Sequence, residues 1–287
     1  MNLQRVLPTT FIYTSAAEGN GFMLAMKRSA TLLSIALLAG CASTTHTTST
    51  AAIQPPVTLE AVGMLSPTIP FPKGFLDPKV LPDSLALLPP PPVEGSAAKA
   101  ADQEAFNAGM AVNDERKALA ASDADLSSWA HIVSSFEHIV GTSLSDGSKP
   151  NTEMLLRRAI ADGALSTYAA KNHYQRVRPF VQNKTSTCRP EDESALRKDG
   201  SYPSGHTAIG WTLALVLTDL FPDRENAILQ RGYDFGQSRV VCGAHWMSDT
   251  VSGRTVASAT YARLQADPNF IAQRDLARKE LATAKPN

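Results

Sequence analysis

The chain has 287 residues, 43% hydrophobic and 19% charged, and its 27 Lys+Arg balance 27 Asp+Glu to a formal net charge of zero. That balance leaves no basic stripe for nucleic acid or an acidic membrane as the main partner. The length allows one large domain or two small ones behind a non-globular N-terminal part, and one is expected.

Residues 1–25 carry no pattern, and translation starting at Met26 would place a signal-like stretch at the N-terminus. Met26-Lys27-Arg28 leads into the apolar run Ala30 to Ala39 and then Gly40-Cys41. A charged start before about ten apolar residues has the make-up of an export signal and is shorter than the about 20 residues of a membrane span. Leu38-Ala39-Gly40-Cys41 resembles a bacterial lipoprotein signal, which implies cleavage before Cys41 and lipidation of that cysteine. An ordinary signal peptide with a chance Gly-Cys pair is the alternative. Residues 1–41 therefore read as upstream extension plus signal. Ala42 to Ala52 is a Ser/Thr/Ala tract, and Pro55 to Pro92 holds eleven of the nineteen prolines. This composition predicts a flexible Ser/Thr/Pro-rich tether over 42–82, without helix, and a globular domain over 83–287.

Between Ala97 and Val140, apolar residues such as Phe106, Leu126, Trp129, Val133 and Phe136 recur at helical spacings and predict two or three helices. Gly141 to Asn151 reads as a loop. Thr152 to Arg176 reads as one strong helix, stopped by Pro179. Phe180 to Tyr202 is mostly loop. A second strong helix, Ser204 to Leu220, is apolar nearly all round, which marks it as central and buried. Pro222-Asp223 breaks it, a further helix spans Arg224 to Arg239, and the last spans Ser248 to Gln265. No alternating strand pattern intervenes. The predicted fold class is all-α, a compact helical bundle domain behind a proline-rich extended N-terminal segment. Cys188 and Cys242 leave the reducing cytosol with the chain, so they are free to pair, and separate buried thiols remain the alternative.

Three patterns carry chemistry. Lys171 and Arg178 stand seven apart, which on one helix puts them two turns and about 10 Å apart on nearly the same face, able to converge on one anion. Alone, such a pair is ordinarily a solvated face. Pro203-Ser204-Gly205-His206 stands at the entrance to the buried helix, where free amides and positive dipole suit a phosphate beside the Ser204 hydroxyl, and Gly205 lets the backbone come close. The plainer reading makes Ser204 an N-cap and His206 a surface residue. In Ser238-Arg239-x5-His245-x3-Asp249, a carboxylate four residues past an imidazole can accept Nδ1–H and leave Nε2 as nucleophile, while Arg239 offers a planar fork for two phosphate oxygens. His245 and Asp249 taken alone also fit a structural pair.

Together and in order, Lys-x6-Arg-Pro, Pro-Ser-Gly-His and Ser-Arg-x5-His-x3-Asp resemble the signature shared by the type 2 phosphatidic acid phosphatases and vanadium haloperoxidases. From about Asp83 to Phe270 the chain is similar to the bacterial class A non-specific acid phosphatases, notably in Ser84 to Pro92, Asp199 to Thr207 and Arg231 to Gly243. Ala244 stands where some of those relatives carry Tyr, and the lipoprotein signal departs from their common free periplasmic form. The resemblance implies an acid phosphatase with His245 as nucleophile, Asp249 as its orienting partner and His206 as general acid. Lys171, Arg178, Ser204, Gly205 and Arg239 would bind the phosphate. It also implies an acidic optimum, broad specificity for small phosphorylated substrates, no metal or other cofactor, transfer to acceptor alcohols where they outcompete water, and a homo-oligomer. Among the six histidines no zinc-like spacing competes.

A vanadate-dependent haloperoxidase is the alternative activity, since a cradle for a pentacoordinate phosphate also fits vanadate. The short chain and the acid phosphatase stretches argue against it. A lipid phosphatase would usually place these motifs among membrane spans, which this chain lacks after its signal, so the one membrane contact expected is the anchor at Cys41. A phosphate-capturing protein without catalysis would not need every one of these groups.

Overall fold

The computed structural model describes residues 53–66 and 69–283, with residues 69 and 70 described by backbone alone. The signal-like stretch, Cys41 and the Ser/Thr/Ala tract lie outside the described residues.

The described residues are mainly helical. The helices are α1 (Leu59–Val62), α2 (Ser84–Leu87), α3 (Ala97–Met110), α4 (Asp114–Asp123), α5 (Trp129–Val140), α6 (Pro150–Leu165), α7 (Tyr168–Tyr174), α8 (Pro179–Gln182), α9 (Glu193–Leu196), α10 (Gly205–Leu220), α11 (Glu225–Val241), α12 (Met247–Leu264) and α13 (Pro268–Thr283). Side-chain caps set several starts: Ser96, Asn113, Ser128 and Ser204 each accept a hydrogen bond from an amide in the first turn. The fold is all-α, as its patterning implied, with one antiparallel hairpin of β1 (Met64–Ser66) and β2 (Ile69–Pro72).

Helix α10 is the hub, packed against α6, α11 and α12, with Ala208, Leu213, Ala214, Val216 and Leu217 sealed from solvent. Two glycines let α11 approach it. A Cβ on Gly210 would lie 2.4 Å from the Phe235 ring, and one on Gly232 would lie 2.4 Å from Ala214 Cβ. The three segments that carry the chemical patterns are the end of α7, the start of α10 and the link from α11 to α12.

Four expectations need correction. The first is the tether over 42–82 with a domain starting at 83, because residues 53–82 hold α1 and the hairpin, and Phe71, Phe75 and Leu76 are buried in the main core. The prolines there stiffen a strap and do not keep it in solvent. Asp162 on α6 accepts hydrogen bonds from Phe75 N at 2.7 Å and Leu76 N at 3.3 Å, and Arg158 donates to the Gly74 carbonyl at 2.9 Å. Gly74 makes this possible, since a Cβ there would fall 1.8 Å from Asp162 Oδ1.

Second, the helix drawn from Thr152 to Arg176 is two helices, and it begins at Pro150. The hydroxyls of Ser166 and Thr167 bond back to the carbonyls of Asp162 and Ala164 where α6 ends. Gln175, at φ 42°, closes α7 in the left-handed region. Third, Arg178 consequently does not share a helix face with Lys171, and sits in extended backbone just before α8. Fourth, α13 follows the helix expected to be last. Its Glu280 accepts from Asn151 N and Thr152 N at 2.9 and 2.8 Å, satisfying the first amides of α6.

Cys188 and Cys242 form a disulfide, with Cα atoms 4.7 Å apart, tying the loop after α8 to the end of α11. No helix among the described residues is long and apolar enough to cross a membrane.

Burial pushes the Asp162 carboxyl up from 3.8 to about 7, against the pull of the two amides. Between those values the folded chain holds a proton that the unfolded chain has released, so this group's contribution to stability falls as pH rises from about 4 to about 7. The Asp162→Asn protein is expected to lose that slope, on the order of 4 kcal/mol over the window, in thermal or urea unfolding. Parallel stability curves for both proteins would contradict this account of the strap.

Candidate active site

The turn from α11 into α12 places Arg239 in the last turn of one helix, His245 in the connection and Asp249 in the first turn of the next. Ser204 N donates to the Asp249 carbonyl at 3.0 Å, so the start of α10 is fastened to the start of α12. Close approach there needs Gly253, whose Cβ would lie 2.6 Å from the Ser204 carbonyl oxygen.

His245 is 1% exposed. Its Nδ1 lies 3.4 Å from Asp249 Oδ2, and its Nε2 lies 3.0 Å from Arg178 Nη1. A guanidinium only donates, so Nε2 carries the lone pair and the ring proton belongs on Nδ1, which approaches Asp249 Oδ2 without a hydrogen bond to it. Burial, then the charges of Arg178, Lys171 and Arg239, hold His245 well below the usual histidine range, while the Ser201 carbonyl pulls the other way. The imidazole is thus neutral in acid where an ordinary histidine would be charged.

Asp249 is fixed from both sides. Its Oδ2 accepts from Trp246 N at 2.8 Å and its Oδ1 from Arg176 Nη1 at 2.6 Å. Arg176 Nη2 in turn donates to Asp102 Oδ2 at 2.7 Å, and Asp102 Oδ1 accepts from Ser248 N at 2.8 Å. A buried guanidinium thus bridges two buried carboxylates, an arrangement in which every charge is paired. The sequence patterns did not single out Arg176 or Asp102. The available signals were the Arg-x-Arg-Pro run at 176–179 and an acidic residue on the buried face of α3, four before Phe106.

Lys171, Arg178 and Arg239 are all nearly sealed from solvent. Lys171 Nζ donates to the Gly200 carbonyl at 2.7 Å, and its pKa is pulled from 10.5 to about 8 by burial first and Arg178 second. Arg178 donates through Nε to the carbonyls of Leu196 and Asp199, through Nη1 to that of Ala244 and through Nη2 to Asp199 Oδ2. Arg239 Nε is buried without a hydrogen-bond partner. Three buried cations with one unmet donor make a site short of an anion.

His206 is half-buried, with Nε2 donating to the Ala124 carbonyl at 3.3 Å. Burial and then the charges of Arg239 and His245 lower its pKa well below the ordinary value. The Ser204 hydroxyl caps α10, accepting from Thr207 N and Oγ1 at 3.3 and 2.9 Å, so the plainer reading of this serine is realised. Gly205 is not required by packing: a Cβ there would meet only Thr167 Oγ1, at an ordinary 3.7 Å. Its missing side chain instead keeps space open, because Gly205 lines the same cavity as Lys171, Arg178, His206 and His245. That cavity has a volume of about 460 Å³, and Leu65, Phe71, Leu126, Tyr168 and Ile209 also line it. Leu65 and Phe71 come from the strap. Among the described residues no group of three or more His, Cys, Asp or Glu side chains is arranged to hold a metal ion.

A model of the PAP2 superfamily matches residues 154–266, which span the whole charged constellation. The chain is 45% identical over 205 residues to a non-specific acid phosphatase of Providencia stuartii, covering 71% of this chain and 82% of that one. It is 45% identical over 206 residues to a non-specific acid phosphatase of Salmonella typhimurium, covering 71% and 81%. Among solved structures, it is similar to a transmembrane PAP2 type phosphatidylglycerolphosphate phosphatase from Bacillus subtilis at a TM-score of 0.43 and 16% identity, covering 63% and 88%.

Proposed function

The chain belongs to the PAP2 superfamily and to its acid phosphatases, enzymes that hydrolyse phosphate monoesters, and from that premise we propose that hydrolysis runs through a phosphohistidine on His245. The observation that carries this reading is the buried imidazole itself: Nε2 faces the Arg178 donor at 3.0 Å, Nδ1 lies 3.4 Å from Asp249 Oδ2, and the charges of Arg178, Lys171 and Arg239 act on the ring.

The phosphate displaces Arg178 Nη1 from Nε2 and takes its place among Lys171, Arg178, Arg239 and the entrance of α10, Ser204 to His206. Nε2 then bonds to phosphorus as the bond to the leaving oxygen breaks, and His206 supplies the proton to that oxygen. In the second step His206 takes a proton from water, the water oxygen attacks phosphorus, and the P–N bond breaks to release orthophosphate and neutral His245. An acceptor alcohol in place of water gives phosphotransfer. Negative charge spread over three equatorial oxygens is met by fixed cations, the role that metal ions play in other phosphoryl transfers. Burial and the charge of Arg239 disfavour the protonated form of His206 in the empty site, and the bound anion, by offsetting the charge of Arg239, favours its protonation.

The test is hydrolysis of p-nitrophenyl phosphate from about pH 4 to 8, with and without EDTA and vanadate. A bell-shaped profile is expected, resistant to EDTA and inhibited by vanadate. The acid limb of kcat/KM should fall well below 6.5, because His245 stays neutral there. The alkaline side should show KM rising towards pH 8, because Lys171 is charged below about 8 and loses its proton above. An acid limb near 6.5, or activity abolished by EDTA, would contradict the mechanism.

We further propose that the enzyme is exported and held at a membrane by lipid on Cys41, since Met26 to Cys41 has the make-up of a lipoprotein signal. Incorporation of labelled palmitate should be lost in Cys41→Ser, and equal labelling in both proteins would refute the anchor.

A further inference from the structure

Asp199 supplies the one carboxylate among the described residues lining the cavity, and it is turned into the phosphate cradle. Its Oδ2 lies 3.1 Å from Arg178 Nη2 and 3.4 Å from Lys171 Nζ. The two cations are nearly sealed, whereas the Asp199 side chain is 39% exposed. Every nitrogen of the Arg178 guanidinium is already donating: to the carbonyls of Leu196, Asp199, Gly200 and Ala244, to His245 Nε2 and to the Asp199 carboxylate. An incoming phosphate must therefore displace an acceptor. The carbonyls are fixed by backbone; at Nη1 the acceptor given up is His245 Nε2, and at Nη2 it is the Asp199 carboxylate, the charged acceptor with water to move into.

We propose that Asp199 is a built-in counter-anion that occupies the Lys171–Arg178 side of the cradle in the empty enzyme, competes with the phosphate group, and so limits retention of the orthophosphate product. The inference rests on the phosphohistidine reading for the identity of the bound group, but only on the contacts above for the competition. A carboxylate within salt-bridge distance of both cations neutralises part of the field that would attract an anion, and it repels a phosphate that lies beside it. The price of that neutralisation is affinity; the gain is release. The charged and titratable groups that line the same cavities as Asp199 are Tyr168 and Lys171 on α7, Arg176 and Arg178 after it, Arg197 after α9, and His206 and His245.

The experiment compares wild-type protein with Asp199→Asn, which keeps the shape and removes the charge, and with Asp199→Ala. Orthophosphate binding is measured by calorimetry at pH 6.5, and KM and product inhibition are measured with p-nitrophenyl phosphate. At pH 6.5 the Asn protein should bind orthophosphate about five- to fiftyfold more tightly, the range for one charged contact in a partly exposed site. KM should fall in parallel. Equal or weaker orthophosphate binding in both variants, with unchanged melting temperature, would overturn the proposal. Calorimetry needs no turnover. Tighter orthophosphate binding by Asp199→Asn together with absent hydrolysis in all three proteins would keep this inference and discard the phosphohistidine reading.

Discussion

The His245→Ala protein is expected to lose hydrolysis by more than about four orders of magnitude, the scale on which removal of a covalent nucleophile is felt. The loss should lie in kcat, because Lys171, Arg178 and Arg239 still bind the phosphate. Asp249 would keep Arg176 and Trp246 N as partners, so its charge stays paired and the fold has no new reason to fail. Removal of the imidazole also frees Arg178 Nη1 from Nε2. Orthophosphate binding, read by calorimetry, should therefore survive or tighten while turnover vanishes. A His245→Ala protein with turnover within tenfold of wild type would show that the imidazole is not the group attacked.

The second large effect is expected at Arg239. Its Nε is buried without a partner, so this side chain has the least to lose and the most to gain when an anion arrives. Arg239→Ala should lower kcat/KM by roughly 2–4 kcal/mol, about two to three orders of magnitude, with most of the loss in kcat if the guanidinium acts on transition-state charge. Arg239→Lys keeps the charge but loses the planar fork, and should recover only part of it. A loss confined to KM would assign Arg239 to ground-state binding alone.

Much of the site was legible because its groups lie in short contiguous patterns. Ser204 to His206 at a helix entrance and Arg239, His245 and Asp249 around one turn are local facts, and local geometry follows from spacing. Lys171 and Arg178 converge as expected, but by another route. The Ser166 and Thr167 back-bonds and the left-handed Gln175 break the helix, and the chain then carries Arg178 into place in extended form. The Arg176–Asp102 bridge joins residues 74 apart, and nothing in a spacing rule reaches that far.

The misread strap has the same cause. Proline content dominates its composition, whereas Gly74, Phe75 and Leu76 are held by Asp162 and Arg158, residues more than eighty positions later. The fold class survived this error because helix α10, apolar on nearly every face, has to be central wherever the strap lies. The pairing of Cys188 with Cys242 was open for want of a distance, which the turn after α8 supplies by bringing the Cα atoms to 4.7 Å. The strap also matters for function. Leu65 and Phe71 line the same cavity as Lys171, Arg178 and His245.

The central claim is the covalent step at His245, and trapping the phosphoenzyme tests it most directly. Protein mixed with a labelled phosphate monoester at acidic pH in the presence of EDTA would be quenched in alkali within milliseconds, digested, and its phosphorylated peptide sequenced by mass spectrometry. The account predicts phosphate on the Nε2 position of His245, stable to base and labile to acid, absent from His245→Ala. Burst-free turnover with no phosphate on residue 245, or phosphate carried by another side chain, would contradict it.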